Sequence, residues 1–256
     1  MSVKLKVCTF NLRTPVKADE LNYLPNRKER ILDCIATEKP DIIGFQEAAV
    51  YTADWLREAL DNYTVIGCGR GKKLDDEASL IAYRKNMFEM VSAETFWLSL
   101  APNVPGSRYG ADQSGCPRVA TAAVLKHRES DQWFLFVNTH LDHKGSAARM
   151  YGSIQLLQYI SAKGLPFVLT GDLNALPDAP EIRVIADCKY LNAVDLTADV
   201  GGTFHGFGKR VPNTKIDYIF SDLPADPAES YAVADEPADG LYISDHRPVI
   251  GFVTLE

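Results

Sequence analysis

Short runs that are apolar at almost every position constrain the fold of this 256-residue chain more than any other feature. Residues 133–141 read WFLFVNTHL and residues 166–172 read PFVLTGD, so apolar side chains stand at successive positions. Successive side chains of a strand point to opposite faces of the sheet, and such strands therefore need cover on both faces. Five further runs are of strand type: VKLKVCTF, DIIGFQE, LIAYR, RVATAAVLK and KIDYIFS. The sequence predicts sheets that are buried between other layers.

Three segments have the apolar spacing of amphipathic helices. They are residues 27–37, residues 52–60 with Thr52 as the candidate N-cap, and residues 146–162, which begin at Ser146. Helices alternate with strands early in the chain and again in its second half. The strands between these two parts leave no room for helices and are expected to form antiparallel hairpins. This order predicts a layered α/β fold, with two packed sheets and helices outside.

No linker or break in composition divides the chain, so we expect a single domain over residues 1–256. Long stretches without periodicity are expected to form loops, and loops of this length are usually functional or mobile. These stretches are residues 68–77, 99–117 and 199–214.

Composition and charge exclude several classes of protein. The apolar fraction is 46%, but no apolar run approaches the roughly 20 residues that span a bilayer, so no membrane partner is expected. The first residues lack a signal-peptide pattern and the five cysteines are scattered without a C-x-x-C pair, which favours reduced thiols and the cytoplasm. The net charge of −7 disfavours the broad basic surface that binds long duplexes. No feature indicates an obligate protein partner.

Several strand-like runs end at a side chain suited to metal or phosphate chemistry. The run at residues 167–169 leads to Asp172 and Asn174, which point to the same side if the chain stays extended. Each such residue also has an ordinary explanation, because Asp and Asn favour turns for local backbone reasons. The repetition along the chain is what indicates a site at the strand ends. The other members of the set are Asn11, Glu47, His140, Asp217, Asp245 and His246.

Six motifs follow one another across nearly the whole chain: TFNLR, GFQE, NTHLDH, GDLNALP, KIDYIF and SDHRPV. Together they resemble the endonuclease/exonuclease/phosphatase superfamily, the metal-dependent phosphoesterases that include pancreatic deoxyribonuclease, abasic-site endonucleases and nocturnin with the deadenylases. The runs FWLS, PRVAT and AR are similar to those of a poorly defined bacterial branch. The resemblance implies a four-layer α/β/β/α sandwich of two mixed sheets packed face to face. It also implies Mg²⁺-dependent cleavage of a phosphate ester, with Mn²⁺ as a possible substitute.

The resemblance further implies roles for the residues at the strand ends. Glu47 would hold the metal, Asn11 would bond to the metal shell or the phosphate, and Asp245 would join the metal shell or a second metal site. His246 would act as the base that activates water, and Asp217 would orient its ring.

The remaining strand-end residues would contact the water or the phosphate. Asp172 would position or deprotonate the water, and the division of labour between Asp172 and His246 stays open. Asn174 would donate a hydrogen bond to a phosphate oxygen. His140, if protonated, would add a positive donor against developing negative charge.

Five more residues are candidates for substrate binding: Arg118, Arg149, His143, His205 and Arg210. A guanidinium matches phosphate oxygens, but a structural ion pair explains Arg118 and Arg149 equally well. His143 lies in the loop after a strand, where capping of the next helix is the simpler explanation. His205 and Arg210 lie on a Gly-rich loop with aromatic residues, which could hold a base or sugar or simply anchor the loop.

Other hydrolase classes lack their signatures. The chain has no G-x-S-x-G turn and no G-N-H-[DE] motif, and the H-x-x-H of His140 and His143 lacks further zinc ligands nearby. The GRGKK segment at residues 69–73 does not fit a P-loop and is predicted to be a basic turn.

We therefore expect a phosphoesterase for a small or short phosphorylated substrate, including short nucleic acids, that uses in-line attack of water activated by His246 and Asp172. A nuclease for longer DNA or RNA and a catalytically idle binding module are the alternatives.

Overall fold

The structure is a computed structural model that describes residues 2–110, 112–210, 214–237 and 239–256. The described helices are α1 (Leu24–Glu38), α2 (Val50–Ala59), α3 (Ser146–Lys163) and α4 (Pro180–Ala186), with 3₁₀ helices at Lys17–Asn22 and Pro227–Glu229. The described strands are β1 (Val3–Asn11), β2 (Ile42–Ala48), β3 (Tyr63–Ile66), β4 (Ala78–Arg84), β5 (Phe88–Trp97), β6 (Val119–His127), β7 (Trp133–His140), β8 (Phe167–Asp172), β9 (Val194–Asp195), β10 (Asp217–Ser221), β11 (Tyr231–Ala232) and β12 (Val249–Leu255).

These strands form two six-stranded sheets. The order in the first sheet is β11-β12-β1-β2-β4-β3, and the order in the second sheet is β5-β6-β7-β8-β10-β9. Each sheet has one parallel pair near its centre, β1 with β2 in the first and β7 with β8 in the second. A parallel pair places both carboxyl ends at one edge of the sheet, so each sheet brings two strand ends together there.

Helices cover the outer face of each sheet. Ile31 of α1 and Leu56 of α2 belong to the apolar cluster over the first sheet. Leu156 of α3 and Ile182 of α4 belong to the cluster over the second sheet. A third apolar cluster, which includes Phe136, fills the space between the sheets. The predicted α/β/β/α sandwich of two mixed sheets packed face to face is thereby confirmed.

In the part of the chain that the structure describes, no helix is both long and apolar enough to cross a membrane.

The predicted strand runs and helices are present, but the starts of two helices are wrong. α1 begins at Leu24 rather than at residue 27, with a proline in its first turn. α2 begins at Val50, and Ala49 takes the N-cap position, so Thr52 lies buried inside the helix. The strands β3, β5, β9, β11 and β12 and the helix α4 were not predicted. The seven residues of α4 are too few for a clear helical period, and β5 is mostly exposed.

The predicted loop at 199–214 extends over residues 211–213, and the loop at 99–117 includes residue 111. Those positions lie outside the described residues.

Candidate active site

The two central parallel pairs are β1 with β2 and β7 with β8. On each of these strands, the side chains that face the other sheet change from apolar to polar toward the carboxyl end. On β8 the side chains that face the other sheet are Val168, Thr170 and Asp172 in turn, all of them buried. The alternation of a strand keeps these i, i+2 positions on one face. The other three central strands follow the same order and end with Asn11, Gln46 and His140. The site therefore lies where the core between the sheets gives way to polar side chains.

A buried amide joins the two sheets just beneath the site. Asn138 Nδ2 donates to the backbone carbonyls of Phe45 and Leu80, at 2.8 Å each. Asn138 Oδ1 accepts from Gln46 Nε2 at 2.7 Å and from Thr170 Oγ1 at 3.1 Å. Fully paired polar groups of this kind fix a unique packing in a low-dielectric interior. This layer determines how the strand ends of one sheet lie against those of the other.

An irregularity in β2 turns Glu47 toward the same place. The pairing of β2 with β4 shifts in register between Phe45 and Ala48, and Glu47 has a left-handed φ of 58°. Such backbone strain in a non-glycine residue is concentrated at functional sites. The Glu47 carboxylate accepts from the backbone nitrogen of Thr14 at 2.6 Å and from Asn11 Nδ2 at 3.1 Å. The bulge thus holds a carboxylate at the strand ends.

A chain of three buried groups crosses the site. Asp217 Oδ2 lies 2.9 Å from His246 Nδ1, and His246 Nε2 lies 3.8 Å from Asp172 Oδ2. Burial lowers the pKa of His246, but the carboxylates of Asp217, Asp172 and Asp245 outweigh it and raise that pKa to about 10. Burial and the carboxylate of Asp217 raise the pKa of Asp172 to about 7. Two groups that can exchange protons therefore face each other.

His140 and Asn174 flank Asp172. Asn174 Nδ2 donates to His140 Nε2 at 2.9 Å and to the carbonyl of Leu141 at 3.1 Å, and the backbone nitrogen of Asn174 donates to Asp172 Oδ1. Burial and the positive charge of Arg118 lower the pKa of His140 well below its usual value. This shift disfavours the protonated form of His140, and its role as a positive donor stays a prediction.

A cavity of about 350 Å³ opens onto these side chains. Its acidic side, which we call the catalytic floor, is formed by Glu47, His140, Asp172, Asn174, Asp245 and His246. Its basic side, which we call the arginine wall, is formed by Arg13, Arg70 and Arg118. The volume lies at the small end of the range for small-molecule sites.

Arg70 and Arg118 of the arginine wall are each paired with a carboxylate. Arg70 Nη1 is 2.9 Å from Glu77 Oε2, and Arg118 Nε is 3.4 Å from Asp142 Oδ2. Arg118 Nη2 also donates to His143 Nδ1 at 2.9 Å. Arg70 is 7% exposed and Arg118 is 4% exposed, so both charges are nearly withdrawn from water.

Arg13, the third residue of the arginine wall, lies near two carboxylates, and one of them belongs to the catalytic floor. Its Nε is 3.0 Å from Asp19 Oδ2 and 3.7 Å from Asp245 Oδ2. Burial and the nearby Glu47 carboxylate raise the pKa of Asp245.

A sequence model of the endonuclease/exonuclease/phosphatase family matches residues 8–246, which include every residue of the catalytic floor. The chain belongs to this family. Family members are metal-dependent phosphoesterases, so the protein is a hydrolase of phosphate esters.

Similar proteins cover nearly the whole chain. A crystal structure of an endonuclease/exonuclease/phosphatase from Bacteroides vulgatus is 31% identical and covers 99% of this chain and 100% of its own, with a TM-score of 0.92. A mannosyl-6-phosphatase from Bacteroides thetaiotaomicron is 26% identical and covers 98% of this chain and 100% of its own, with a TM-score of 0.87. The uncharacterized protein L388 of Acanthamoeba polyphaga mimivirus is 28% identical over an alignment of 247 residues, and the match covers 88% of this chain and 90% of that protein.

The family uses a divalent cation, and the catalytic floor of this member has donors that fit one. Ligand atoms of Glu47, His140 and Asp172 lie within 4.8 Å of one another. Asn11 Nδ2 bridges the carboxylates of Glu47 and Asp172, at 3.1 and 2.9 Å. Burial and the carboxylate of Asp217 raise the pKa of Asp172, and a bound cation would offset both effects. Carboxylate oxygens suit Mg²⁺ and Mn²⁺. The assignment of Asn11 and Asp245 to the metal stays a prediction.

The structure brings two of the five predicted substrate-binding residues to the cavity. Arg118 and His143 line it, next to each other. Arg149 does not line it, because its Nε lies 2.7 Å from the buried Glu181 Oε1 of α4 and its Nη1 donates to the carbonyl of Asp142. For Arg149, the structure therefore shows the ion pair that was the alternative to substrate binding.

The Gly-rich loop also keeps its candidates off the cavity lining. His205 is buried, and its Nδ1 accepts from the backbone nitrogen of Gly208 at 3.1 Å. Arg210 is exposed and lies over the ring of Phe204, 5.2 Å from its centroid. Phe204 itself lines the cavity and packs 4.8 Å from the His246 ring.

Sequence reasoning missed Arg13 and Arg70. The segment around Arg70 does form a turn as predicted, but its arginine points inward. A Cβ at Gly69 or Gly71 would lie 2.2 or 2.1 Å from atoms of Asp75, so only glycine fits on either side of Arg70. That Gly-Arg-Gly pattern was the available signal. Arg13 is the last residue of the TFNLR motif, so it could have been predicted as a site residue together with Asn11.

Proposed function

We propose that this protein is a Mg²⁺-dependent hydrolase that cleaves the phosphate ester of a small or short phosphorylated molecule. The observation that carries the proposal is the cavity of about 350 Å³, in which an acidic floor faces an arginine wall. Carboxylates suit a cation, guanidinium groups match phosphate oxygens, and the volume limits the substrate's size. The similarity to a mannosyl-6-phosphatase supports a phosphorylated sugar as the first substrate to test.

The chemistry would depend on His246 and Asp172. Their Nε2 and Oδ2 atoms are 3.8 Å apart, which is too long for a direct hydrogen bond but allows one water to contact both. Asp217 holds Nδ1 of the ring, so Nε2 stays directed at that water. As the water attacks phosphorus in line with the leaving oxygen, its proton passes to the carboxylate of Asp172, because the pKa of His246 is raised to about 10 and that ring already carries a proton near neutral pH.

The remaining residues would hold the phosphate. Arg118 lines the cavity and has one guanidinium nitrogen without a partner among the described residues, and Asn174 and His140 lie beside Asp172. Asn174 Nδ2 donates to His140 Nε2 and to the carbonyl of Leu141, so it would exchange one of these bonds for a bond to the phosphate. A divalent cation bound at Glu47 supplies Lewis-acid polarisation of the phosphoryl group and stabilises the leaving oxygen.

We further propose that the protein acts in the cytoplasm without an obligate partner. All five cysteines are free thiols, which supports a reducing compartment.

The test is an activity screen with Mg²⁺, Mn²⁺ or EDTA. Substrates would be sugar phosphates, p-nitrophenyl phosphate, dinucleotides, and single-stranded and duplex DNA and RNA. The variants are Glu47→Gln and His246→Ala, with Glu58→Gln on the exposed face of α2 as the matched control. We expect turnover of small substrates, loss of activity in EDTA, and losses of about 100-fold or more in both variants.

Each alternative has its own signature in this screen. Faster cleavage of long nucleic acid than of any small ester would identify a nuclease. Binding of phosphorylated ligands without turnover would identify a binding module. Full activity of His246→Ala would remove His246 from the mechanism.

A further inference from the structure

We propose that Arg70 and Arg118 bind two non-bridging oxygens of a terminal phosphate group, so that the protein selects phosphomonoesters over phosphodiesters. This inference rests on the phosphoesterase site proposed above and deepens it by naming the type of ester.

Arg118 has one donor that nothing in the described residues occupies. Its Nε faces Asp142 and its Nη2 donates to His143, whereas the buried Nη1 has no hydrogen-bond partner there. A buried charged donor without a partner is costly, and proteins seldom keep one without a ligand or another reason. Because Arg118 lines the cavity, the unpaired nitrogen is a preformed donor for an anion.

Arg70 adds a second fixed guanidinium. Its ion pair with Glu77 directs the side chain, and the indole nitrogen of Trp97 donates to its backbone carbonyl at 2.7 Å. Burial and the positive charge of Arg70 lower the pKa of Arg118, so the two cations are close enough to repel each other. An anion between them relieves this repulsion, and a dianion relieves it more than a monoanion.

The two arginines lie beside the reacting end of the cavity. Together with Glu47 and His140 they line one small recess that continues from the main cavity. A phosphate on the catalytic floor is therefore within reach of the wall. Glu77 lines the same recess and pairs with Arg70, and Asp142 pairs with Arg118, so both guanidinium groups are held at the reacting end of the cavity.

A phosphomonoester matches the two positive charges of Arg70 and Arg118 better than a phosphodiester does. A terminal phosphate has three non-bridging oxygens and carries between one and two negative charges near neutral pH. A diester has two such oxygens and one charge, so it offers less negative charge and fewer acceptor oxygens to the two guanidinium groups. Charge-assisted bonds from an arginine fork are short and strong, so the terminal phosphate gains the most.

The experiment compares p-nitrophenyl phosphate with methyl p-nitrophenyl phosphate, which share one leaving group. We expect the wild type to prefer the monoester in kcat/KM, and this preference to fall by about tenfold or more in Arg118→Met and in Arg70→Met. Arg118→Lys keeps the positive charge but lacks the two parallel N–H donors of a guanidinium. Its monoester preference is expected to lie between those of the wild type and Arg118→Met. Arg183→Met removes an exposed arginine paired with Asp187 and is expected to keep the wild-type ratio.

A second measurement does not depend on turnover. Calorimetric titration of the Mg²⁺-loaded protein with inorganic phosphate is expected to show binding that weakens about tenfold or more in Arg118→Met, with dimethyl phosphate binding weakly to both proteins. Thermal unfolding would show whether Arg118→Met fails to fold. In that case, the phosphate affinity of Arg118→Lys decides the role of Arg118.

Equal losses for both esters, a wild type that prefers the diester, or unchanged phosphate affinity in Arg118→Met would each overturn the proposal. If no ester is cleaved, the proposed function fails, while the phosphate titration still decides the role of the arginine wall.

Discussion

The catalytic floor and the arginine wall face the same cavity but are held by different parts of the fold. Within the floor, Glu47, His140 and Asp172 stand on central strands near their carboxyl ends, and their positions follow from strand pairing, whereas Asn174, Asp245 and His246 lie in the adjoining loops. Arg70 stands on a loop, and Arg118 comes just before β6; ion pairs with Glu77 and Asp142 direct them. Residues on the sheets can be held rigidly, whereas loop residues adapt to the ligand. We therefore expect changes in the floor to remove the chemistry and changes in the wall to alter substrate binding.

The largest effect is expected for Asp217→Asn. Asp217 holds Nδ1 of His246 at 2.9 Å and is 1% exposed, so the amide would change the tautomer and charge of the ring. We expect kcat to fall about 10³- to 10⁴-fold at unchanged monoester preference, by analogy with the aspartate of hydrolytic triads. Steady-state kinetics would measure it, with the exposed Asp187→Asn as the matched control. A kcat within tenfold of wild type would contradict the role of Asp217.

The next effect concerns the layer beneath the floor. Asn138→Ala would remove the side-chain donor to the carbonyls of Phe45 and Leu80 and one of the three acceptors of Gln46 Nε2. We expect the free energy of unfolding to fall by about 2–4 kcal/mol, because buried polar groups left unpaired are costly. Urea denaturation would measure the loss, and the exposed Asn103→Ala is the control. A loss below about 1 kcal/mol would mean that the sheets are held together by apolar contacts alone.

The same contrast explains what could be predicted from the sequence. Apolar runs followed by an acid, amide or imidazole are local patterns, so the strand ends that supply Glu47 and Asp172 were recognisable. The direction of a loop side chain depends on distant contacts instead. Arg118 and Arg149 were equal candidates, and Glu181 decided between them from a seven-residue helix too short to recognise. The inward direction of Arg70 likewise depends on its partner Glu77 and on the tight turn around it.

A smaller effect is expected when the support of the arginine wall is weakened. Asp142 Oδ1 accepts from the backbone nitrogens of Ser114, Lys144 and Gly145, and its Oδ2 faces Arg118. Asp142→Asn removes the charge that holds Arg118, so we expect the KM for a phosphomonoester to rise about tenfold while kcat stays within about threefold.

Steady-state kinetics at saturating Mg²⁺ would separate these two parameters. Asp226→Asn is the matched control, since Asp226 is an exposed aspartate that accepts from the backbone nitrogen of Ala228. A fall in kcat as large as the rise in KM would show that the wall is coupled to the chemistry and would weaken the contrast with the floor.

The smallest effect is the pH dependence of stability in the metal-free protein, and it should belong to the floor alone. The pKa of Asp172 is raised from 3.8 to about 7, so its stabilising contribution is fully present below about pH 4 and is lost as the pH rises through 7. The pKa of His246, raised from 6.5 to about 10, adds a loss of stability at higher pH.

In EDTA, we expect the Tm to fall between pH 5.5 and pH 8 by about 3 °C or more relative to Asp172→Asn. Arg183→Met, which removes an exposed arginine paired with Asp187, should retain the wild-type pH dependence. Added Mg²⁺ should raise the Tm more at pH 8 than at pH 5.5, since a deprotonated Asp172 binds the cation without first releasing a proton. If the Tm of the wild type and the Tm of Asp172→Asn change with pH in the same way, the raised pKa of Asp172 is contradicted.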